Sequence, residues 1–389
     1  MSKLTGPWRG TFPGPIRGGG KATGEVGGYS EGTSMRIALL LTSLGMGGAE
    51  RQVVSLAERL EARGHSVLLV TLMPRLAEEW ATPLRVMRAG MTKSPLGIVA
   101  GLLRAHRMLR AFQPDILHSH TRHANLAARF LGLSGAAPRV VTTLHSVRDG
   151  GRLRMLAYRL TDALAARTVA VSDAVAAAYM AAHAVPASKC AVIPNAIDAE
   201  LFRANAARRM ETRARLEAGD AFVWLAAGRA TPAKDYPNLL AAFAAVAEAE
   251  PRAELWIAGE GTETLPVASR VRRLGLRRDL PALLDAADGF VLSSAWEGMP
   301  LAMGEAMAME KPVVATRVGG VEQLGGDCAM LAAPRDAVAL ADAMLATMRR
   351  SHEQRCKDGR RARARIVDRF GWEACVRAWE RLYARVLEP

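Results

Sequence analysis

At 389 residues, 50% apolar but only 5% aromatic, the chain is too long for one core, and two α/β domains built on Ala, Leu and Val are expected. Its longest apolar runs, 37–41 and 67–72, are strand-sized. They fall well short of the roughly 20 residues that cross a bilayer, so no transmembrane helix is expected. The formal charge of +14 is concentrated early, with 20 Lys and Arg against 11 Asp and Glu between Met35 and Glu200. Such an excess is either a set of solvated Arg-rich faces or an attraction to an anionic membrane surface or acceptor. No basic-aromatic module accompanies it, and no nucleic acid partner is expected. Cys190, Cys328, Cys356 and Cys375 form no C-x-x-C pair, which argues against a disulfide framework or structural zinc and for a reducing compartment.

Residues 1–34 carry clustered glycines (Gly18-Gly19-Gly20, Gly27-Gly28) and no apolar periodicity. They read as a disordered leader without a signal-peptide core, with Met35 as a candidate start. From there the pattern alternates: strand 35–42, helix 53–63 ending at Gly64, strand 67–72, helix 97–112, strand 115–118, helix 125–133, then strands 140–144, 168–171 and 191–193. This rhythm predicts a doubly wound parallel sheet over 35–200. Polar, Arg-rich residues 198–219 read as the interdomain linker. A second alternation fills 201–370, with strands 222–227, 253–258, 289–292 and 313–316 and helices 237–248, 300–309 and 337–349. Residues 371–389 are a terminal helix carrying Trp372 and Trp379. Two such sheets in tandem leave a cleft at their strand ends, where ligands of open α/β sheets bind.

The strand-end loops hold the chemistry. After the first strand, Gly45, Gly47 and Gly48 form a tight turn into a helix whose free N–H groups suit an anion. A dinucleotide fingerprint is not met, because Glu50 stands at the third glycine position and strand 67–72 ends in Met73-Pro74 without an acidic residue for ribose. His118 and His120 share a strand face with His123 nearby, but no carboxylate or cysteine lies at ligand spacing. Hydrogen bonding or packing is expected of them, and no metal. His145 ends another strand beside the cleft, as a structural histidine or a substrate contact. Arg229 and Lys234, five apart in one loop, are either two solvated cations or a pair converging on one anion. Gly259-Glu260-Gly261 lets a ligand lie close. Pro300 opens a helix toward the cleft, with Glu297 before it and Glu305 inside it. A carboxylate accepts two hydroxyls at once, which suits a diol. Anion and diol binders in one domain add up to a sugar nucleotide.

These residues resemble the family-4 retaining glycosyltransferases of GT-B fold, across nearly all of 35–389. The likeness rests on Gly47-Gly48-Ala49-Glu50, Val192-Ile193-Pro194-Asn195-Ala196-Ile197-Asp198, Gly228-Arg229…Lys234-Asp235, Gly259-Glu260-Gly261, the E-x7-E pair Glu297…Glu305, and Gly371-Trp372-Glu373. It implies two Rossmann-like domains, acceptor-side over 35–200 and donor-side over 201–370, facing across a cleft. The terminal helix would cross back onto the first. By the same resemblance Arg229 and Lys234 bind the donor pyrophosphate, Glu305 holds the ribose and Glu297 the transferred sugar. The amides of Leu301 and Ala302 meet phosphate, Gly259 and Gly261 line the donor, the Gly47 and Gly48 loop approaches the β-phosphate, and His145 bonds the sugar. No side chain is a settled nucleophile. No D-x-D motif occurs, consistent with chemistry needing neither metal nor other cofactor.

The chain departs from the family at Ala196, where glycine is preferred, and between Gly261 and Gly275, where 13 residues are too few for the usual helix and strand. The implied partners are a nucleotide-sugar donor, UDP- ahead of GDP-linked, and a polysaccharide or lipid-linked acceptor in cell-envelope glycan synthesis. A basic amphipathic stretch, 102–110, and Arg148, Arg152, Arg154 and Arg159 suggest a cytoplasmic protein touching the inner face of the plasma membrane. The alternatives are an epimerase of the same architecture and a degenerate, non-catalytic binding module.

Overall fold

Continuous apolar runs become strands buried on both faces, which is what a parallel sheet covered by helices requires. In the computed structural model, which describes residues 34–147 and 150–388, the first half runs β1 (Arg36–Leu41), α1 (Gly48–Ala62), β2 (Ser66–Thr71), β3 (Val86–Arg88), α2 (Pro95–Phe112), β4 (Ile116–His120), α3 (Arg122–Leu133), β5 (Arg139–Leu144), α4 (Arg152–Thr161), β6 (Arg167–Ala170), α5 (Asp173–Ala181) and β7 (Cys190–Val192). The second half runs α6 (Ala206–Arg215), β8 (Phe222–Ala227), α7 (Tyr236–Ala249), β9 (Ala253–Ala258), β10 (Val271–Gly275), α8 (Leu280–Ala286), β11 (Gly289–Leu292), α9 (Leu301–Ala308), β12 (Val313–Thr316), α10 (Val321–Gly325), β13 (Ala329–Ala332), α11 (Ala337–Arg349), α12 (His352–Phe370) and α13 (Trp372–Leu387). Apart from Ser34, the glycine-rich leader lies outside the described residues, as does Arg148.

Two sheets result, one ordered β3-β2-β1-β4-β5-β6-β7 and the other β10-β9-β8-β11-β12-β13. Both reverse direction beside their first strand, the switch point at which open α/β sheets bind ligands. Helix starts follow local chemistry. Ser94 caps α2 by accepting from the Gly97 amide at 3.1 Å, with Pro95 in the first turn, and Asp336 caps α11 through the Ala339 amide at 2.9 Å.

The terminal helix does cross back. Val376, Trp379, Leu382 and Tyr383 of α13 share one buried cluster with Ile37 and Leu39 of β1 and Val53 and Leu60 of α1. The two chain crossings between domains lie side by side, joined by the Ile197 amide donating to Phe370 O at 2.8 Å. Gln52 of α1 pins the first crossing, giving to Ala196 O at 2.6 Å and accepting from its amide at 3.0 Å. Ala196 is not among the residues with positive φ, so its methyl costs no backbone strain.

One segment differs from the sequence reading, and a second is shortened as expected. The supposed linker 198–219 contains α6, whose Arg209 donates to the carbonyls of Asp285, Ala286 and Ala287 at 2.7–3.0 Å and pairs with Asp288 at 2.6 Å. Its arginines are thus anchors for the C-terminal end of α8 rather than solvated charges. The β9–β10 crossover carries only the short turn Thr262–Thr264, closed by the Thr262 hydroxyl, which donates to Gly259 O at 2.8 Å and accepts from the Gly275 amide at 3.1 Å.

Candidate active site

The loops after β1, β5, β8 and β11 meet between the sheets. At Gly298 the domains touch backbone to backbone: a β-carbon there would lie 1.9 Å from His145 O, so only glycine fits. The Gly298 carbonyl accepts from Ser172 Oγ at 2.8 Å and from the Gly320 amide at 3.0 Å.

Beside this contact, Lys234 folds over Gly228, where a β-carbon would come within 2.5 Å of Cε. Its Nζ reaches Glu297 Oε1 at 2.6 Å, and Ser294 Oγ donates to the same oxygen at 2.7 Å. Tyr236 Oη donates to Gly228 O at 2.7 Å; burial, aided by the Glu297 charge, holds its phenol well above the usual range. Gly259 abuts the same loop, since its β-carbon would meet Gly228 O at 2.1 Å. Gly261 is left-handed at φ +80, next to Ala230.

The opposite wall belongs to the start of α1. Gly48 faces Leu301 across the gap, with 3.0 Å from a built β-carbon to Cδ1. Gly47 packs on the Glu50 carboxylate and accepts from Trp80 Nε1 at 3.1 Å. Burial raises the Glu50 carboxyl, partly offset by its own backbone hydrogen bond and by the charge of Arg229, whose own amide lies against Gly259. Glu305, 2% exposed and one turn into α9 beyond the half-buried Leu301 and Ala302, is paired with Arg51. Burial lowers the Arg51 guanidinium to about 10, against the pull of Asp198, and it lies over Trp80 and Phe202 at 5.6 and 5.7 Å.

The cleft therefore gathers Arg229, Lys234, Glu297, Glu305, Gly47, Gly48 and Leu301. Two cations and a helix start can take a diphosphate, and a buried carboxylate can take a diol. His145 arrives through its main chain, but its Nε2 is turned away, 3.1 Å from His120 Nδ1. Among the described residues no group of three or more His, Cys, Asp or Glu is placed to hold a metal. His118 is instead hydrogen-bonded to Tyr383 Oη and Thr143 Oγ1, both at 2.7 Å.

Residues 46–201 match the family described as Glycosyltransferase Family 4, and residues 221–350 the family Glycosyl transferases group 1. The chain belongs to the family-4, group 1 glycosyltransferases. This glycosyltransferase is 27% identical to the Escherichia coli UDP-Gal:alpha-D-GlcNAc-diphosphoundecaprenol alpha-1,3-galactosyltransferase over 56% of its own length and 62% of the relative's. It is also 27% identical to glycogen synthase of Mycobacterium tuberculosis, over 87% and 91%. Anabaena Alr3699/HepE, solved with UDP and glucose, superposes with a TM-score of 0.77 at 22% identity, covering 90% of this chain and 99% of that one. Its fold is accordingly GT-B, two Rossmann-like domains facing across a cleft.

Sequence reasoning missed Arg51, Glu50 and His120 as parts of the glycosyltransferase site. Arg51 follows the glycine motif directly, and a basic residue on the first turn of a cleft-facing helix was the available signal. For His120 the sequence reading expected hydrogen bonding or packing, and its bond to His145 is of that kind, though the partner was not foreseen.

Two predictions follow from these burials. Arg51→Met leaves Glu305 buried without a countercharge and should lower unfolding stability by about 3 kcal/mol at pH 7, read by urea titration. Burial holds His118 and His120 well below the usual range and His145 at about 4. Below pH 6.5 the unfolded chain binds protons that the native state refuses, so stability present at neutral pH is lost on acidification. The slope is about 1.4 kcal/mol per pH unit for each histidine, and urea midpoints between pH 7 and pH 5 for wild type and His145→Gln should show a shallower slope in the variant.

Proposed function

We propose that this glycosyltransferase moves a hexosyl group from a UDP-sugar, with retention of configuration, to a polysaccharide or lipid-linked acceptor of the cell envelope. The observation that carries the reading is Lys234, held at Glu297 in the loop before α9, the helix that buries the Glu305 carboxylate; Arg229 belongs to the same loop as Lys234, its amide against Gly259. Support for UDP comes from Anabaena Alr3699/HepE, solved with UDP and with UDP-glucose. Support for a lipid-linked acceptor comes from the Escherichia coli relative, named for a diphosphoundecaprenol substrate.

In this reading the donor diphosphate displaces Lys234 from Glu297, and Arg229 and Lys234 stabilise the charge that develops as the leaving group departs. The amides of Leu301 and Ala302 face the phosphates, while Gly259, Gly261 and the Gly47-Gly48 loop allow close approach. Glu305 exchanges Arg51 for the ribose diol, and Glu297, once released, takes hydroxyls of the sugar. The acceptor oxygen bonds to the anomeric carbon on the face from which UDP leaves. The C–O bond to phosphate breaks, and the acceptor proton passes to the departing phosphate oxygen. With side-chain cations doing this work, no metal is required.

A UDP-sugar panel assayed for UDP release with acceptor tests the reading. Lys234→Ala or Arg229→Ala should lower kcat by on the order of a hundredfold, Glu305→Ala should chiefly raise the donor KM, and EDTA should leave the rate unchanged. Wild-type rates in all three variants would sink the assignment. An isomerised donor without transfer would indicate the epimerase, and no UDP binding the degenerate scaffold.

The acceptor reading extends to an anionic membrane surface. No helix among the described residues is long and apolar enough to cross a membrane. Yet α2, α3 and α4 expose Leu96, Leu103, Leu133, Leu153 and Leu160 at 54–85%, beside exposed Arg107, Arg110, Arg152 and Arg159. Apolar side chains fringed by arginine suit an interface with anionic headgroups. In low salt the protein should float with phosphatidylglycerol vesicles and not with phosphatidylcholine ones, and Leu153→Asp with Leu160→Asp should weaken flotation. No flotation of wild type with either vesicle removes the membrane contact.

A further inference from the structure

Behind the cleft stand three histidines in a row, of which only His145 reaches the domain interface. We infer that His120 is a positioning residue that fixes the tautomer of His145, so that His145 offers an N–H at Nδ1 to the transferred sugar. The sugar half of this statement rests on the transferase reading above; the tautomer half rests on geometry alone.

The row begins at His118, which imposes no proton placement. Both its nitrogens meet hydroxyls, Tyr383 Oη and Thr143 Oγ1 at 2.7 Å, and a hydroxyl donates or accepts as needed. What His118 supplies is support. Its ring lies 4.0 Å from that of His120 and 4.4 Å from Trp379, which leaves His120, 3% exposed, no room to turn.

His120 has one polar contact, Nδ1 to His145 Nε2 at 3.1 Å. Among the described residues its Nε2 is buried without a partner, on the wall of a cavity of about 20 Å³ lined by Leu56, Val171, Ile193 and Trp379 together with Gln52, Thr143 and Asn195, none of which bonds to it. Burial keeps both rings neutral, so each carries one proton and one of them must donate across the contact. If His145 donates through Nε2, the proton of His120 sits on its own Nε2, which no acceptor among the described residues reaches. If His120 donates through Nδ1, only a lone pair faces that wall. Orphaned N–H groups are the rarer and costlier defect in protein interiors. The second arrangement is therefore the native one, and it leaves the His145 proton on Nδ1, the nitrogen not spent on His120. A neutral N–H there recognises a hydroxyl oxygen of the sugar as acceptor and stays protonated across the neutral range.

Two-bond ¹⁵N–¹H correlation on histidine-labelled full-length protein reads the tautomer without any turnover. Wild-type His145 is expected as Nδ1–H; finding Nε2–H overturns the inference even if every variant fails to fold. His120→Leu should shift His145 toward Nε2–H and lower kcat about tenfold, with donor KM changed less than twofold. In His120→Asn the side-chain amide stands near the Nδ1 level and donates, so both tautomer and kcat should recover to within about threefold of wild type. Equal kcat in His120→Leu and wild type would also overturn it. Should wild type transfer sugar from no UDP-sugar, the transferase reading fails while the tautomer is still decided by the spectrum.

Discussion

The two domains are held in register by a contact that contains no side chain. Gly298 presses on the His145 carbonyl, and a second glycine pair clamps the loop from behind. A β-carbon at Gly319 would lie 1.9 Å from Glu297 O, and one at Gly320 would lie 2.3 Å from Gly298 O. Backbone packed on backbone has no rotamers to adjust, so the segment from Glu297 to Pro300 can sit in only one place when the cleft is closed. Glu297 is thereby delivered to Lys234 on one side, and α9 starts toward Gly48 on the other.

That placement creates an electrostatic problem which the cleft solves with its own side chains. Glu297 and Glu305 are both largely buried, at 13% and 3% side-chain exposure, and a carboxylate withdrawn from water needs a partner. Lys234 and Arg51 provide them. A ligand bearing both a diphosphate and a diol would replace each partner in kind, giving anion for carboxylate and hydroxyls for guanidinium. Binding would then be an exchange of pairs rather than a gain of new ones. The preorganised charges stay in place for the step at which the leaving group becomes more negative.

How much of this was legible in the sequence depended on the distance over which each feature is specified. Strands such as 253–258 and 289–292 were readable because burial on both faces makes them unbroken apolar runs. The site loops were readable because glycine, proline and charge cluster at strand ends. The long α12 was not, since only Gly359, Ala362, Ile366 and Phe370 of its 19 residues are buried and so narrow a seam gives little periodicity among arginines. Nor was α6, whose polar residues satisfy α8 carbonyls some 76 positions away. The hydrogen-bonding character of His118 and His120 was legible, but their partners were not: the Tyr383 hydroxyl that holds His118 lies 265 residues along the chain.

That long-range tie also determines what can move. Although α13 follows the second domain in sequence, its apolar face is buried with β1 and α1, so it belongs to the first. The domains are joined only by the crossings at Ile197 and Gly371, and these lie side by side. Adjacent crossings form a hinge, and rotation about it leaves each sheet intact. Among the contacts that such a rotation must break are Gly298 with His145 and Ser172, Asp173 with Gln323, Gly48 with Leu301, Arg51 with Glu305 and Arg278 with Glu78. His118, His120, Tyr383 and Trp379 all sit on one side of the hinge and keep their geometry. A rotation there would uncover the Glu305 carboxylate and the glycine loop together and leave the imidazole row unchanged.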